Sequence, residues 1–178
     1  FPTRFYESYG MTETYSHVAI RPVQPVDTLF EAVGNVHFSS QNGNLAIHAP
    51  LLGINSLLTN DSVDLADERH FKLLGRSDFA INSGAYKFHP ELLEQKLEDH
   101  LSMDYFIIGE ADPVYGECVT LFLETNYKAE TEIRVEEIME RCFDRYEKPK
   151  KIYFLPEFVR TESGKINRLA SQQAAFER

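Results

Sequence analysis

A chain of 178 residues holds one ordinary domain or two small ones. With 43% hydrophobic and 12% aromatic residues it can bury a core, and its 26% charged fraction is that of a soluble protein. A net charge of −10 argues against nucleic acid or a membrane surface as the main partner, while leaving room for a local basic pocket that takes small-molecule phosphates.

In chain order, Arg4 to Glu7 reads as a short strand ending in a turn at Ser8-Tyr9-Gly10, and Met11 to Ile20 follows with Thr and Glu directly after the glycine. Pro22 and Pro25 mark a loop. Ala32 to Ser39 is strand-like, and Gln41-Asn42-Gly43-Asn44 is a strong hairpin turn signal. Leu45 to Ala49 returns as a strand stopped by Pro50. Leu57 to Thr59 leads into Asn60-Asp61, then Val63 to Leu65 into a turn at Asp67-Glu68-Arg69, closed by Phe71 to Leu74. Residues 1–75 are therefore expected to be mostly β, with no long helix.

From Gly75 the pattern changes. Phe79, Ile81, Tyr86 and Phe88 alternate on both sides of Ser83-Gly84, which predicts a short hairpin. Pro90 then opens a helix at its first position, with His89 or a neighbour as cap, and Leu92, Leu93, Leu97 and Leu101 carry helical spacing over Glu91 to Leu101. Tyr105 to Gly109 and Glu117 to Glu124 read as strands flanking a loop at 111–116. Thr131 to Tyr146 is an amphipathic helix, Lys151 to Leu155 a further strand, Val159 to Asn167 a polar glycine-containing loop and Leu169 to Phe176 a last helix. Residues 76–178 form a compact α+β unit large enough to fold alone.

Cys118 and Cys142 have no metal-like spacing and are expected to be reduced, buried and structural. The six histidines form no ligand pair at short spacing, so a zinc site is not expected. No apolar run approaches the roughly 18–20 residues of a membrane span. With Phe1 opening directly on what reads as a strand we expect no signal peptide, and the lack of an initiator Met suggests that residue 1 is not the natural start.

Four stretches could carry chemistry. Tyr9-Gly10-Met11-Thr12-Glu13-Thr14 places a hydroxyl and a carboxylate after a glycine that lets backbone approach a ligand. Thr12 can bond a phosphate oxygen and Glu13 can hold Mg²⁺; the plainer reading is a helix start with a Thr cap. Asp61 follows an apolar strand and Arg76 ends the next, so the two can grip ribose hydroxyls or simply form a surface ion pair worth little. Gly75-Arg76-Ser77-Asp78 stands at the junction. Arg160-Thr161-Glu162-Ser163-Gly164-Lys165-Ile166 is a glycine-hinged loop presenting one lysine. It lacks the P-loop spacing, and its ammonium makes sense only against charge developing in a transition state.

Together, and in this order, these stretches resemble the C-terminal portion of the adenylate-forming superfamily of acyl-CoA synthetases, luciferases and peptide-synthetase adenylation domains. Tyr9 to Thr14 is similar to its Tyr-Gly-x-Thr-Glu motif, Thr59-Asn60-Asp61 to Thr-Gly-Asp, and Gly75 to Asp78 to Gly-Arg-x-Asp. Ser83-Gly84-Ala85 resembles Ser-Gly-Gly, His89-Pro90-Glu91 with Glu94 the Pro-x-Glu-[Ile/Leu]-Glu helix start, and Arg160 to Lys165 the Arg-Thr-x-Ser-Gly-Lys motif. The match covers essentially the whole chain. Asn60 and Ala85 each replace a glycine, and Val159 stands where a proline often precedes Arg-Thr; none of these departures removes a charge.

The resemblance implies an α+β fold: a small β-rich remnant of the large N-terminal domain over residues 1–75, then a mobile C-terminal lid domain over 76–178. It implies an acid–thiol ligase that uses ATP, Mg²⁺ and CoA on a small carboxylic acid. Tyr9, Gly10, Thr12, Asp61 and Arg76 would bind nucleotide, with Thr12 and Glu13 at the phosphates and Glu13 on Mg²⁺. Asp78 would be the hinge, Ser83, Gly84 and Ala85 would lie beside the CoA channel, and Lys165 would bridge the carboxylate and α-phosphate oxygens. No phosphate loop precedes Tyr9 in this sequence, so little ligase activity is expected of the 178 residues alone. Within the superfamily, Glu7 to His17 and Ile81 to Gly84 look most like o-succinylbenzoate–CoA ligases of menaquinone biosynthesis, with Thr14 to His17 lining the acyl pocket or packing beneath it. The alternatives are another acyl- or aryl-CoA synthetase, a peptide-synthetase adenylation domain, or a binding module whose polar motifs are structural. A cytoplasmic protein without a membrane span is expected, and apolar strand surface in the first part leaves room for a homo-oligomer.

Overall fold

The computed structural model describes residues 3–23 and 28–177. The chain divides into two compact units, Phe1–Asp78 and Phe79–Arg178, where the sequence placed the division after residue 75. The last strand of the first unit runs on through Arg76. Among the described residues no helix is long and apolar enough to cross a membrane. Pro25 of the expected loop lies outside the described residues.

The first unit is a seven-stranded sheet, β1 (Tyr6–Gly10), β2 (His17–Pro22), β3 (Phe30–Ala32), β4 (His37–Gln41), β5 (Asn44–Ala49), β6 (Ile54–Leu65) and β7 (His70–Arg76). Its order is β1-β2-β3-β7-β6-β5-β4, with every pair antiparallel. The β4–β5 turn is as expected: Asn42 and Gly43 both have positive φ, at 53° and 81°, which matches the right-handed twist of the flanking strands. Three boundaries differ from expectation. Ser8-Tyr9-Gly10 is the end of β1 and not a turn. The stretch 32–39 is not one strand, because Gly34 turns the chain at φ 58° and the Arg69 guanidinium collects the carbonyls of Ala32, Gly34 and Val36 at 2.7–3.0 Å. Asn60 and Asp61 lie inside a continuous 12-residue β6 and not in a break. Phe71 organises the core, stacked on Phe30 at 5.3 Å and edge-on to Phe38 at 4.9 Å. Each such buried ring contributes about 1.5–3 kcal/mol through removal from water.

The second unit begins on the last residue of a 3₁₀ turn, Ser77–Phe79, which takes Phe79 out of the expected hairpin. The hairpin itself is β8 (Ile81–Ser83) and β9 (Tyr86–Phe88). Then come α1 (Pro90–Gln95), β10 (Tyr105–Asp112), β11 (Gly116–Glu124), α2 (Ala129–Cys142), β12 (Lys151–Leu155) and α3 (Arg168–Phe176). β11 is central: antiparallel to β10, touching β8 through Gly116 and Ser83, and parallel to β12. Both sheet faces are covered. Ile107, Leu121 and Leu123 pack with Leu93, Leu97, Ile138 and Phe143 on one side; Phe106, Ile108 and Phe122 pack with Leu155 and Phe158 on the other. That accounts for the apolar run of β10 and for Phe122 of β11, which falls outside the alternation of Val119, Leu121 and Leu123.

Two of the helices, α1 and α2, are shorter than their periodicity predicts. After Gln95 the α1 backbone tightens into i to i+3 turns, Lys96 N to Leu93 O and Leu97 N to Glu94 O, which still bury Leu97. His89 precedes α1 but its side chain does not cap it. α2 ends at Cys142 because Phe143 turns to extended backbone to reach the core, and the Asp144 carboxylate then caps the amides of Tyr146 and Glu147. The expected loop at 111–116 shrinks to a tight turn, with Asp112 Oδ1 accepting from Val114 N and Tyr115 N. Cys118 is buried, but Cys142 is only half-buried, on the edge of α2; both are free thiols.

Candidate functional site

In the first unit the candidate nucleotide residues come from three strands. Tyr9, near the end of β1, packs its ring against Phe30 and Phe71 and donates its hydroxyl to Asp61 Oδ2 at 2.5 Å. Burial first, and then that carboxylate, push the Tyr9 phenol far above its ordinary range, so it stays a donor. Asp61 is held from its own strand as well, its backbone amide donating to Thr59 Oγ1 at 3.1 Å while that buried hydroxyl donates to Leu45 O. Directly across the ladder from Asp61 stands Arg76 of β7. The Arg76 fork binds Asp78 through two bonds, Nε to Oδ1 at 2.8 Å and Nη2 to Oδ2 at 2.6 Å, which holds the Asp78 carboxyl below its usual range. The bonded pairs Tyr9–Asp61 and Arg76–Asp78 are therefore brought together by the ladder at the end of the sheet.

Gly10 lets this end of the sheet meet the next turn. A Cβ there would lie 2.4 Å from Ser16 O and 2.8 Å from His17 Cα, so only glycine fits. The turn that follows is a 3₁₀ helix, Thr12–Thr14, and not the start of an α-helix. Its anchor is Thr14, fully buried, whose hydroxyl accepts from Met11 N at 3.0 Å and lies 2.9 and 2.8 Å from the carbonyls of Met11 and Ser16. Thr12 and Glu13 are left exposed on the turn, as are Tyr15, Ser16 and His17. Thr14, expected either to line a pocket or to pack beneath it, is buried, and Thr59 is a support that motif reading passes over, since a threonine in a motif gives no sign of whether it points outward or inward.

In the second unit, Ser83-Gly84-Ala85 forms the β8–β9 turn, with Gly84 at φ 62° and its amide donating to Tyr115 O at 2.8 Å. The turn edges a cavity of about 220 Å³ whose other walls are aromatic and cationic. Tyr86 stacks on Tyr146 at 4.7 Å, and Lys150 Nζ sits 3.6 Å above the Tyr115 ring and 3.4 Å from Asp112 Oδ2. Arg145 and Lys148 complete the wall. In a chain with a net charge of −10 this is a local basic site. Sequence reading found its glycine turn but not the aromatic and lysine residues that converge on it from 115 and from 145–150.

Lys165 lies on an exposed loop that is nevertheless closed on itself. Arg160 and Ile166 form an isolated bridge, Thr161 N donates to Lys165 O at 2.8 Å, and Lys165 N donates to Thr161 Oγ1 at 3.2 Å. Gly164 takes the required positive φ of 82°. Lys165 does not line the cavity beside Gly84. Among the described residues no cluster of His, Cys, Asp and Glu is arranged to hold a metal by itself.

With this architecture in view, known proteins give it a context. No protein-family model matches the chain. A human mitochondrial acyl-coenzyme A synthetase, ACSM5, is 27% identical over 210 residues, covering 94% of this chain and 36% of that protein. An AMP-forming acyl-CoA synthetase/AMP-acid ligase II-like protein of Dyadobacter fermentans is 29% identical with a TM-score of 0.55, covering 98% of this chain and 52% of that one. The o-succinylbenzoate coenzyme A synthetase of Bacillus subtilis, solved with ATP and magnesium ion, has a TM-score of 0.78 at 18% identity, over 95% of this chain and 41% of that one. The relatives and structural neighbours of this chain are AMP-forming acyl-CoA synthetases. Its fold is the β-rich α+β fold of their C-terminal part, and it spans about a third of the length of the curated relatives it matches.

Proposed function

We propose that this chain is the C-terminal part of an ATP-dependent carboxylate–CoA ligase. The observation that carries the reading is the bonded pair Tyr9–Asp61, with Arg76 across the ladder and paired to Asp78: residues matching three separate motifs meet at one end of one sheet. A carboxylate whose backbone and side chain are both held suits a ribose diol, because its acceptors are pre-oriented. Thr12 and Glu13, exposed on a turn anchored by Thr14, suit the phosphates. One hard carboxylate beside phosphate oxygens is also a fitting donor set for Mg²⁺, which when bound would neutralise phosphate charge.

In the first half-reaction a carboxylate oxygen of the acid forms a bond to the α-phosphorus of ATP as the bond to the bridging oxygen breaks, releasing pyrophosphate. Negative charge gathers on the α-phosphoryl oxygens, and Lys165 is the ammonium offered to it. In the second, the CoA thiolate attacks the acyl carbon and AMP leaves. The cavity beside Ser83-Gly84-Ala85 supports CoA as that thiol: cations for its phosphates, and tyrosine faces for its base. Asp78, last residue of the first unit, is the pivot of the change between the two steps.

The acid we propose is o-succinylbenzoate, on the resemblance of residues 7–17 and 81–84, with the structural likeness to a synthetase of that acid as support. The test uses an enzyme of the relatives' length carrying this chain. Lys165→Ala should abolish acid-dependent ATP–pyrophosphate exchange and spare thioester formation from a supplied acyl-adenylate; equal activity in both assays would make the motifs merely structural. A panel of o-succinylbenzoate, benzoate and octanoate decides the acid, and failure to activate the first removes that assignment alone. The 178 residues by themselves are expected to show no exchange.

A further inference from the structure

The Lys165 loop is fastened at both ends to side chains of its own unit. Upstream, Arg160 Nη2 donates to Asp104 Oδ2 at 2.8 Å and to Glu124 Oε2 at 2.5 Å, while Glu124 Oε1 accepts from Phe158 N. Downstream, Arg168 opens α3, with Asn167 Oδ1 capping the helix at Ala170 N. The Arg168 guanidinium donates through Nη2 to Glu94 Oε2 at 2.9 Å and through Nη1 to Ile107 O at 3.0 Å. Glu94 Oε1 in turn accepts from Ile107 N at 2.7 Å.

The three bonds close a ring around Ile107. Its amide and carbonyl point away from β11, on the flank of β10 opposite that strand, and one acid and one base satisfy both. Glu94 and Arg168 are largely buried, with side-chain exposures of 18% and 20%. A polar amide or an apolar cover would protect a strand flank at less desolvation cost than a buried ion pair, so stability alone does not account for the pair. What it does provide is geometry: a planar fork with two acceptors fixes Arg168, three residues from Lys165, to one register of β10.

We infer that Glu94 and Arg168 are positioning residues for Lys165, holding the base of its loop so that the lysine moves with the whole second unit and not by flexing of the loop. This rests on the role proposed above for Lys165. Its consequence is a selective one, since only the half-reaction that uses Lys165 depends on the register.

The test compares Arg168→Gln, Glu94→Gln and Lys165→Ala in the enzyme of full length, using the acid of the panel that the unsubstituted enzyme activates. Arg168→Gln should lower kcat for ATP–pyrophosphate exchange by about 10- to 100-fold, the scale of a small misplacement of a reacting group. Thioester formation from supplied acyl-adenylate should stay within about twofold, and Arg168→Lys should recover part of the loss. In the 178-residue chain, amide exchange at Thr161 and Gly164 should quicken in Arg168→Gln while Leu121 keeps its protection. Glu94→Gln, which leaves the Ile107 amide an acceptor, is the milder variant should Arg168→Gln fold poorly. Equal losses in both half-reactions, or none in either while Lys165→Ala abolishes exchange, overturn the inference. If Lys165→Ala leaves exchange intact, the reading of Lys165 falls first and the inference with it.

Discussion

The Tyr9 hydroxyl donates to the Asp61 carboxylate at 2.5 Å, joining strands 52 positions apart in sequence. Tyr9→Phe removes that donor and leaves the ring packed on Phe30 and Phe71. We expect a loss of about 1.5–3 kcal/mol in urea unfolding, the range for a hydrogen bond to a charged group. In the full-length enzyme we expect KM for ATP to rise while KM for CoA does not move. An unchanged KM for ATP would show that Asp61 needs no help from Tyr9.

Gly10 is the position where backbone alone fits. An alanine methyl would press on Ser16 O and His17 Cα, both backbone atoms that cannot swing aside. Gly10→Ala should therefore cost about 1–3 kcal/mol, as overpacking does, and disturb the turn carrying Thr12 and Glu13. Equilibrium denaturation of the 178-residue chain measures this, and a cost near zero would mean that the turn yields.

What was legible in the sequence follows a physical line. Asn42-Gly43 and Pro90 declare themselves, because positive φ and a missing amide restrict what the backbone can do, and the β4–β5 turn and the start of α1 lie where they were expected. The apolar run of β10 was legible as a strand, but burial on both sheet faces was not: β11 alternates around Val119, Leu121 and Leu123, and Phe122 packs in the other cluster. Helix ends were not, since Leu97 buries equally well in an α-helix or in the i to i+3 turns that replace it. Nor was the break at Gly34, whose cause is a guanidinium 35 residues away. At the candidate site the motif residues were legible singly. Two of their supports were not: Thr59 and Arg168 act through bonds to backbone distant in sequence, which no local pattern records.

Glu94 gives the second unit a pH dependence. Burial is the largest influence and lifts its carboxyl to about 7, against the lowering pull of Arg168 and the Ile107 amide and with a small upward push from Glu91. An ordinary glutamate in the unfolded chain titrates near 4.5. Between those values the folded unit holds a proton that the unfolded chain releases, so stability is fully present below about 4.5 and falls as pH rises through about 7. At about 1.4 kcal/mol for each pH unit of displacement the loss approaches ~3 kcal/mol by pH 8. Glu94→Gln has no proton to lose, so its urea midpoint should fall less between pH 5 and pH 8 than that of the parent chain. A parent–variant difference constant over that interval would remove Glu94 as the cause.

The cavity beside Gly84 predicts a loss confined to the thiol. Lys150 is poised over the Tyr115 ring, Lys148 pairs with Glu140, and both line the cavity away from Lys165. Replacing both by alanine removes two cations from a wall that we read as meeting CoA phosphates, and exposed charge pairs are worth up to about 1 kcal/mol each. In the full-length enzyme KM for CoA should rise about five- to thirtyfold, and less at high salt, where the pairs are already screened. ATP–pyrophosphate exchange, which involves no thiol, should stay within about twofold of the parent. A variant that loses exchange and leaves KM for CoA unchanged would move the cavity out of the second half-reaction.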